Sequence, residues 1–180
     1  VSLVIRPAGV GDLDAFFTYL DDHLRDNGAN GAPLFQPLPR AASCFPPERQ
    51  ASFRDGAAIP VGEPGWRRLW LAFDGARIAG HIDLRARPEP ASAHRCLLGM
   101  GVDRDYRRHG LGQRLIGAAV EWASAQRQLT WIDLEVLSVN APARALYARA
   151  GFVQTGELAD MFRIDGVALG YAYMSRQLHG

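Results

Sequence analysis

The sequence predicts an α/β (α+β) fold in a single domain, and three observations carry that prediction. Two alternating apolar stretches are each broken by an Asp-Gly pair, at Asp74-Gly75 and Asp165-Gly166, the dipeptide preferred by tight type I′ hairpins. Between those hairpins an extended stretch, a helical stretch and a second extended stretch follow one another. Such a crossover is right-handed and joins parallel strands. The chain has 180 residues, enough for one domain with a sizeable core.

In chain order, residues 3–6 (LVIR) form a short strand that stops at Pro7. Leu13, Phe16, Phe17, Leu20 and Leu24 then fall at helical spacing, with Asp12 placed to cap the first turn. Residues 27–65 differ in kind. They hold seven of the eleven prolines together with Phe35, Phe45 and Phe53, and read as an irregular excursion with at most a short helix after Pro46-Pro47. Residues 67–86 alternate on both sides of Asp74-Gly75 as two strands. Residues 93–103 (AHRCLLGMGVD) form a further strand with Cys96, Leu98, Met100 and Val102 on one face and Gly99 and Gly101 on the other. A helix over 111–126 buries Leu111, Leu115, Ala119 and Trp122. Residues 131–136 (WIDLEV) return as a strand, and APARALYARAG is a short helix with Pro142 in its first turn and Gly151 at its end. The tail closes with MFRI, Asp165-Gly166 and ALGYAYMSRQL.

Composition bounds the function. Net charge is +1, which gives no general attraction to nucleic acid or to membrane surfaces. No stretch approaches the roughly 20 apolar residues of a membrane span, and VSLVIRPAGVGD lacks a basic region followed by an apolar signal core. The expectation is a cytoplasmic protein with neither nucleic acid nor membrane as partner. All 20 basic residues are arginine. Cys44 and Cys96 have no metal or redox spacing, so no metal is expected.

The chemistry concentrates in RRHGLG, residues 107–112, where a strand hands over to a helix. The first N–H groups of a helix lack internal partners and carry partial positive charge, a natural seat for phosphate. Gly110 and Gly112 remove β-carbons from the approach, and Arg107 and Arg108 can add charge-assisted contacts. Neither the dinucleotide fingerprint nor a Walker A loop fits, because Gln113, Arg114 and Leu115 follow Gly112 and the chain has no lysine. A phosphorylated cofactor and a plain strand–helix turn both remain open on the loop alone.

The arrangement GMGVDRDYRRHGLGQRLI…IDLEVLSVNAPARALYARAGF resembles the GNAT superfamily of acyl-CoA-dependent N-acetyltransferases. Its carriers are the Arg/Gln-x-x-Gly-x-Gly/Ala loop at Arg107–Gly112, the strand end at Val102 that feeds it, and Asn140 followed by Ala143, Leu146-Tyr147 and Gly151-Phe152. The likeness is detailed from Gly80 to Arg176 and looser before it. It implies a single GNAT-like domain, a mixed twisted sheet with splayed central strands flanked by helices, and acetyl-CoA as cosubstrate. It also implies that Met100 and Val102 meet the pantetheine arm, that Arg107, Arg108, His109, Gly110, Leu111, Gly112 and Gln113 meet the pyrophosphate, and that Asn140 contacts the arm. Gly99 and Gly101 suit a bulge that opens the splay, or simple strand twist.

By the same resemblance Tyr147 is the general acid that protonates the leaving thiol; it also belongs to an ordinary apolar helical stripe. Glu135 is the candidate general base, with Asp133 on the same strand face and His81, His94 or a water relay as alternatives. Each carboxylate could equally serve a salt bridge. Cys96 reads as core packing. The acceptor is expected to be a small-molecule amine or amino acid. A protein N-terminal acetyltransferase acting on a peptide N-terminus and a non-catalytic acyl-CoA sensor are the rivals. A homodimer through the tail hairpin would cover its outer edge.

Overall fold

The computed structural model describes residues 3–179. Seven strands form one sheet in the order β1-β2-β3-β4-β5-β7-β6, made of β1 (Val4–Pro7), β2 (Arg67–Asp74), β3 (Arg77–Ala86), β4 (Arg95–Val102), β5 (Trp131–Leu137), β6 (Val153–Ile164) and β7 (Val167–Gln177). Every neighbouring pair is antiparallel except β4 and β5, as the crossover reading requires. That crossover is α3 (Leu111–Ser124), which packs on one face of the sheet beside α4 (Ala141–Arg149). The opposite face carries α1 (Leu13–Leu24) and α2 (Pro47–Gly56). No helix among the described residues is long and apolar enough to cross a membrane.

Two separate cores follow from these two faces. On the α3 side, Leu111, Leu115, Ile116, Ala119 and Ala123 bury against Ile82, Leu84, Cys96, Leu98, Ile132 and Leu134. The spacing of four carries the buried line to Ala123, so Trp122 sits beside it, half-buried, with its ring 5.2 Å from Trp70 and 6.1 Å from Trp66. On the α1 side, Phe16, Phe17 and Leu20 pack with Phe53, Leu71 and Ile78. Asp12 stands at the start of α1, yet its carboxylate does not cap the helix. It accepts from Gly9 N–H at 2.7 Å and from both ends of the Arg6 guanidinium at 2.8 Å.

Residues 27–65 are irregular apart from α2 and one short 3₁₀ turn, and the excursion is organised by one side chain. Asn27 accepts from the N–H groups of Phe35 (2.7 Å) and Gln36 (2.9 Å) and donates to Gln36 O (3.1 Å) and Ser43 Oγ (3.0 Å). Phe45 stacks on Phe17 and Phe53 enters the core, so both fix the excursion to α1. Phe35 lies 4.8 Å from the His23 ring instead.

Several element boundaries differ from the sequence expectation. β4 begins at Arg95, after a 3₁₀ turn over Pro90–Ser92, and α3 ends at Ser124. The largest difference is β6, which runs twelve residues where only its last four were read as strand. Its register shifts twice, between Gln154 and Gly156 and between Leu158 and Phe162, so no clean alternation marks it.

Candidate active site

The site is built on a gap in the sheet. β4 and β5 pair only over Arg95–Leu97 and Trp131–Asp133, and beyond Leu97 the two strands part. On the other side β4 stays paired with β3 without a break from Cys96 to Val102. Asp103 N–H donates to Ala79 O at 3.0 Å, so odd-numbered residues of β4 bond β3 and even-numbered ones face β5. The main-chain groups of Met100 and Val102 therefore look into the gap, where β5 no longer meets them. Because β5 has left, these two side chains are half-exposed while Cys96 and Leu98 remain buried. The unbroken register also means that Gly99 and Gly101 form no bulge, contrary to the sequence reading.

Those glycines answer to the opposite face. A β-carbon on Gly99 would come 2.7 Å from Asp83 Oδ1, and one on Gly101 would come 2.6 Å from His23 Nε2 and 2.7 Å from His81 Cε1. Their partners across the ladder are Asp83 and His81. Two missing side chains thus make room for titratable groups from β3 and α1 to lean over the strand beside Met100 and Val102. Burial pushes His81 down to about 3. Burial, then His81 and Arg107, push His23 down to about 3 as well, so both rings are neutral at physiological pH. His81 Nδ1 lies 3.2 Å from the Tyr19 hydroxyl, which also donates to Gly101 O at 3.4 Å.

The loop after β4 is shaped as an anion seat. Gly110 holds φ +77°, and Arg108 is left-handed at +65°. The first bond inside α3 runs from Arg114 N–H to Gly110 O at 3.2 Å, so the N–H groups of Leu111, Gly112 and Gln113 lie ahead of it, at the positive end of the helix. Arg107 does not point its guanidinium outward. It donates to Val102 O and to Asp26 Oδ2, both at 3.0 Å, and so locks the loop to the strand end. Arg108 and His109 are exposed. The two glycines differ: a β-carbon on Gly110 meets nothing, while one on Gly112 comes 2.8 Å from Leu146 Cδ2 on α4. Gly112→Val should therefore push the Leu146 side chain aside and disturb the packing of α3 on α4, lowering the melting temperature. Gly110→Ala should cost only about 1 kcal/mol of stability through its left-handed backbone. Equal effects of the two would show that the close approach of α3 to α4 is immaterial.

Asn140 stands at the head of α4, where its side chain accepts from Ala143 N–H at 3.3 Å. Tyr147 is buried on α4, 5.9 Å from the Phe152 ring, and burial raises its phenol above the ordinary value. It is therefore protonated at neutral pH. Asp133 and Glu135 share a strand face but not a setting. Asp133 is buried and accepts from Arg87 (3.0 Å), from Arg95 Nε (2.7 Å) and NH2, and from Ser175 Oγ (2.7 Å). It is a structural hub. Glu135 is exposed and neighbours Tyr171, whose phenol is raised by burial and by that carboxylate. Continuing the β4–β5 register would set Glu135 across from Gly99. A cleft of about 440 Å³ runs along this face past Arg87, Arg95, Asp133, Glu135, Thr155 and Tyr173. His94 is exposed before the start of β4 and apart from these groups. A second hollow of about 730 Å³ lies by Gln113, Arg149 and Trp131.

Sequence reasoning missed Tyr19, His23, Asp26 and Asp83. The signal for Asp83 and for His81's setting was present, since hairpin register sets them opposite Gly99 and Gly101. Tyr19 and His23 lie on α1 and Asp26 lies two residues past its end, and nothing in their spacing marks them. Among the described residues no group of three His, Cys, Asp or Glu side chains is placed to hold a metal, and burial pushes the Cys96 thiol up to about 12.

Known proteins share this architecture. An L-amino acid N-acetyltransferase of Escherichia coli (strain K12) is 26% identical over 113 residues, 63% of this chain and 69% of that protein. A mycothiol acetyltransferase of Clavibacter michiganensis is 38% identical over 98 residues, 54% of this chain but only 30% of the relative. A GNAT-family acetyltransferase of Streptococcus pneumoniae superposes with a TM-score of 0.80 at 24% identity, covering 99% of this chain and 100% of its own. Residues 36–152 match the Acetyltransferase (GNAT) family itself, and the chain belongs to that family.

Proposed function

We propose that this protein transfers the acetyl group of acetyl-CoA directly to a primary amine, with a free amino acid or similar small amine as acceptor. The observation that carries this reading is the parting of β4 from β5 directly above a glycine-bearing helix start. An extended amide chain can bond the main chain at Met100 and Val102 while its diphosphate meets the N–H groups of Leu111, Gly112 and Gln113, with Arg108 adding charge. Arg107 contributes by holding this loop in place. A main-chain N–H in the gap can also bond the thioester oxygen as charge develops on it.

On the other face Glu135 draws the acceptor's ammonium and takes its first proton to solvent, being exposed and level with Gly99. Tyr147, protonated and on the helix side, protonates the departing sulfur. Holding both reactants across one strand supplies most of the acceleration as effective concentration. The amino-acid acceptor is favoured by the cleft, which places Arg87 and Arg95 near Glu135 and so offers cations beside an anion to a zwitterion. It agrees with the substrate in the name of the E. coli relative.

The test is acetyl-CoA-dependent thiol release over amino acids, polyamines and short peptides, with calorimetric CoA binding alongside. Release with amino acids is expected. CoA binding with no release on any amine would leave the sensor reading, and no CoA binding would overturn the assignment. Tyr147→Phe should lower kcat about 100-fold with CoA affinity held within about twofold. A parallel loss of affinity would assign Tyr147 to packing alone.

A further inference from the structure

Two buried atoms at the end of α1 are chemically matched and unmet. Among the described residues, neither Nδ1 of His23 nor Oδ1 of Asp26 has a hydrogen-bond partner, although both side chains are more than nine-tenths buried. An imidazole nitrogen can donate and a carboxylate oxygen accepts. The residues are three apart where the helix ends, with Asp26 N–H donating to His23 O at 3.2 Å, the spacing that sets side chains on one flank. The other oxygen of Asp26 is fully used, accepting from Arg104 Nε and Arg107, each at 3.0 Å. The other nitrogen of His23 is the atom that occupies the space over Gly101.

We propose that His23 is the proton acceptor of the transfer step and that Asp26 is its positioning residue. Asp26 Oδ1, through one buried water, keeps the proton on Nδ1 and leaves the Nε2 lone pair over Gly101, between Met100 and Val102. The proposal rests on the acetyl-transfer reading above. It also differs from the part given to Glu135, because an amine that arrives as ammonium must lose two protons, one before attack and one after.

The step balances as follows. The neutral amine's lone pair attacks the thioester carbonyl carbon, and the C=O π pair moves to oxygen. The nitrogen of the adduct now carries one proton too many, and His23 Nε2 takes it. The oxyanion re-forms C=O as the C–S bond breaks, and the thiolate takes the phenolic proton of Tyr147. The imidazolium then returns its proton through solvent to that phenolate. One amine and one thioester have become one amide and one thiol.

His23 fits this role better than the other titratable groups on this side of the sheet. His81 is already engaged with Tyr19, Asp133 is held by two arginines and a serine, and Asp83 lies between Arg67 and Arg85 at 3.5 and 3.3 Å. Arg107 and His81 oppose the imidazolium and Asp26 and Asp103 favour it, while burial outweighs them all. His23 therefore starts neutral with its lone pair available. Taking the adduct's proton is therefore uphill, and the carboxylates of Asp26 and Asp103 offset part of that cost as the imidazolium forms.

The experiment uses the full chain with acetyl-CoA and the best acceptor found for the unaltered protein. His23→Gln and His23→Ala should both bind CoA within about twofold of the unaltered protein and lose about 100-fold or more in kcat. Added imidazole should restore turnover in His23→Ala, where the ring's space over Gly101 is vacated, and leave His23→Gln unchanged. Full turnover in His23→Gln would overturn the proposal. So would an alanine variant that binds CoA and melts normally, yet gains nothing from imidazole. Absence of thiol release by the unaltered protein on every acceptor would instead remove the transfer reading beneath it.

Discussion

Gly101→Ala should cut turnover by at least about 100-fold while CoA binding stays within a few-fold of the unaltered protein. The added methyl points away from the gap between β4 and β5, because the side-chain direction of residue 101 is that of His23 and His81, 2.6 and 2.7 Å from the new carbon. Neither ring can yield easily. Phe16 lies edge-on to His81 at 5.3 Å, Phe35 covers His23 at 4.8 Å, and Tyr19 packs against both histidines. The acceptor side must therefore shift by about an ångström, and a displacement of that size at a reacting centre costs about a hundredfold. Met100 and Val102 keep their main-chain groups turned to the other side. Comparing kcat with calorimetric CoA affinity checks the claim. A variant that loses affinity in proportion to turnover would show that the two faces are not separable at this strand.

Asp133→Ala should destabilise the fold by about 3 kcal/mol, the lower end for breaking a buried ion pair, since Arg87 and Arg95 keep about a quarter of their side-chain surface in solvent. For a chain of this size that is a fall of roughly 6–12 °C in melting temperature. The carboxylate joins four things at once: β5, the start of β4 through Arg95, the β3–β4 connection through Arg87, and β7 through Ser175. Burial pushes the acid's pKa up, but the bonds from Arg95 and Ser175 prevail and hold it below the ordinary value. Its contribution is thus complete above about pH 4 and fades as pH falls through the folded-state value. The gap between the two proteins should close in acid. A gap that persists unchanged well below pH 4 would assign the effect to packing and not to charge.

Much of this architecture was legible because its elements have one wet and one dry side. The hairpin at Asp74-Gly75, α1 and α3 each show their period in the sequence, and the loop at Arg107–Gly112 shows its glycines. β6 was not legible for the converse reason. As the edge strand it is exposed almost throughout, Asp160 takes φ +51° within its second register shift, and no buried face imposes an alternation. The separation of Asp133 from Glu135 was also hidden. They are two residues apart on one face, and only the arginines that converge from β4 and the β3–β4 connection decide that one is sealed and the other open. Arg107 misled in the same way, since a basic residue in an anion loop reads as a ligand until Asp26, eighty-one positions earlier, is seen to hold it.

The sheet also divides the chain by role. Under the proposed assignment everything that meets the cofactor comes from β4, α3 and α4, whereas α1, residues 27–65 and the β6–β7 hairpin enclose the acceptor. The excursion touches that hairpin at Arg40 and Asp165, is internally tied by Asn27, and is anchored to α1 by Phe45 and Phe53. Under that assignment a change of acceptor can be sought in this cover while the parts that hold the cofactor stay untouched. For protein engineers the same partition marks residues 27–65 as the segment to redesign, with Phe45 and Phe53 kept as its anchors.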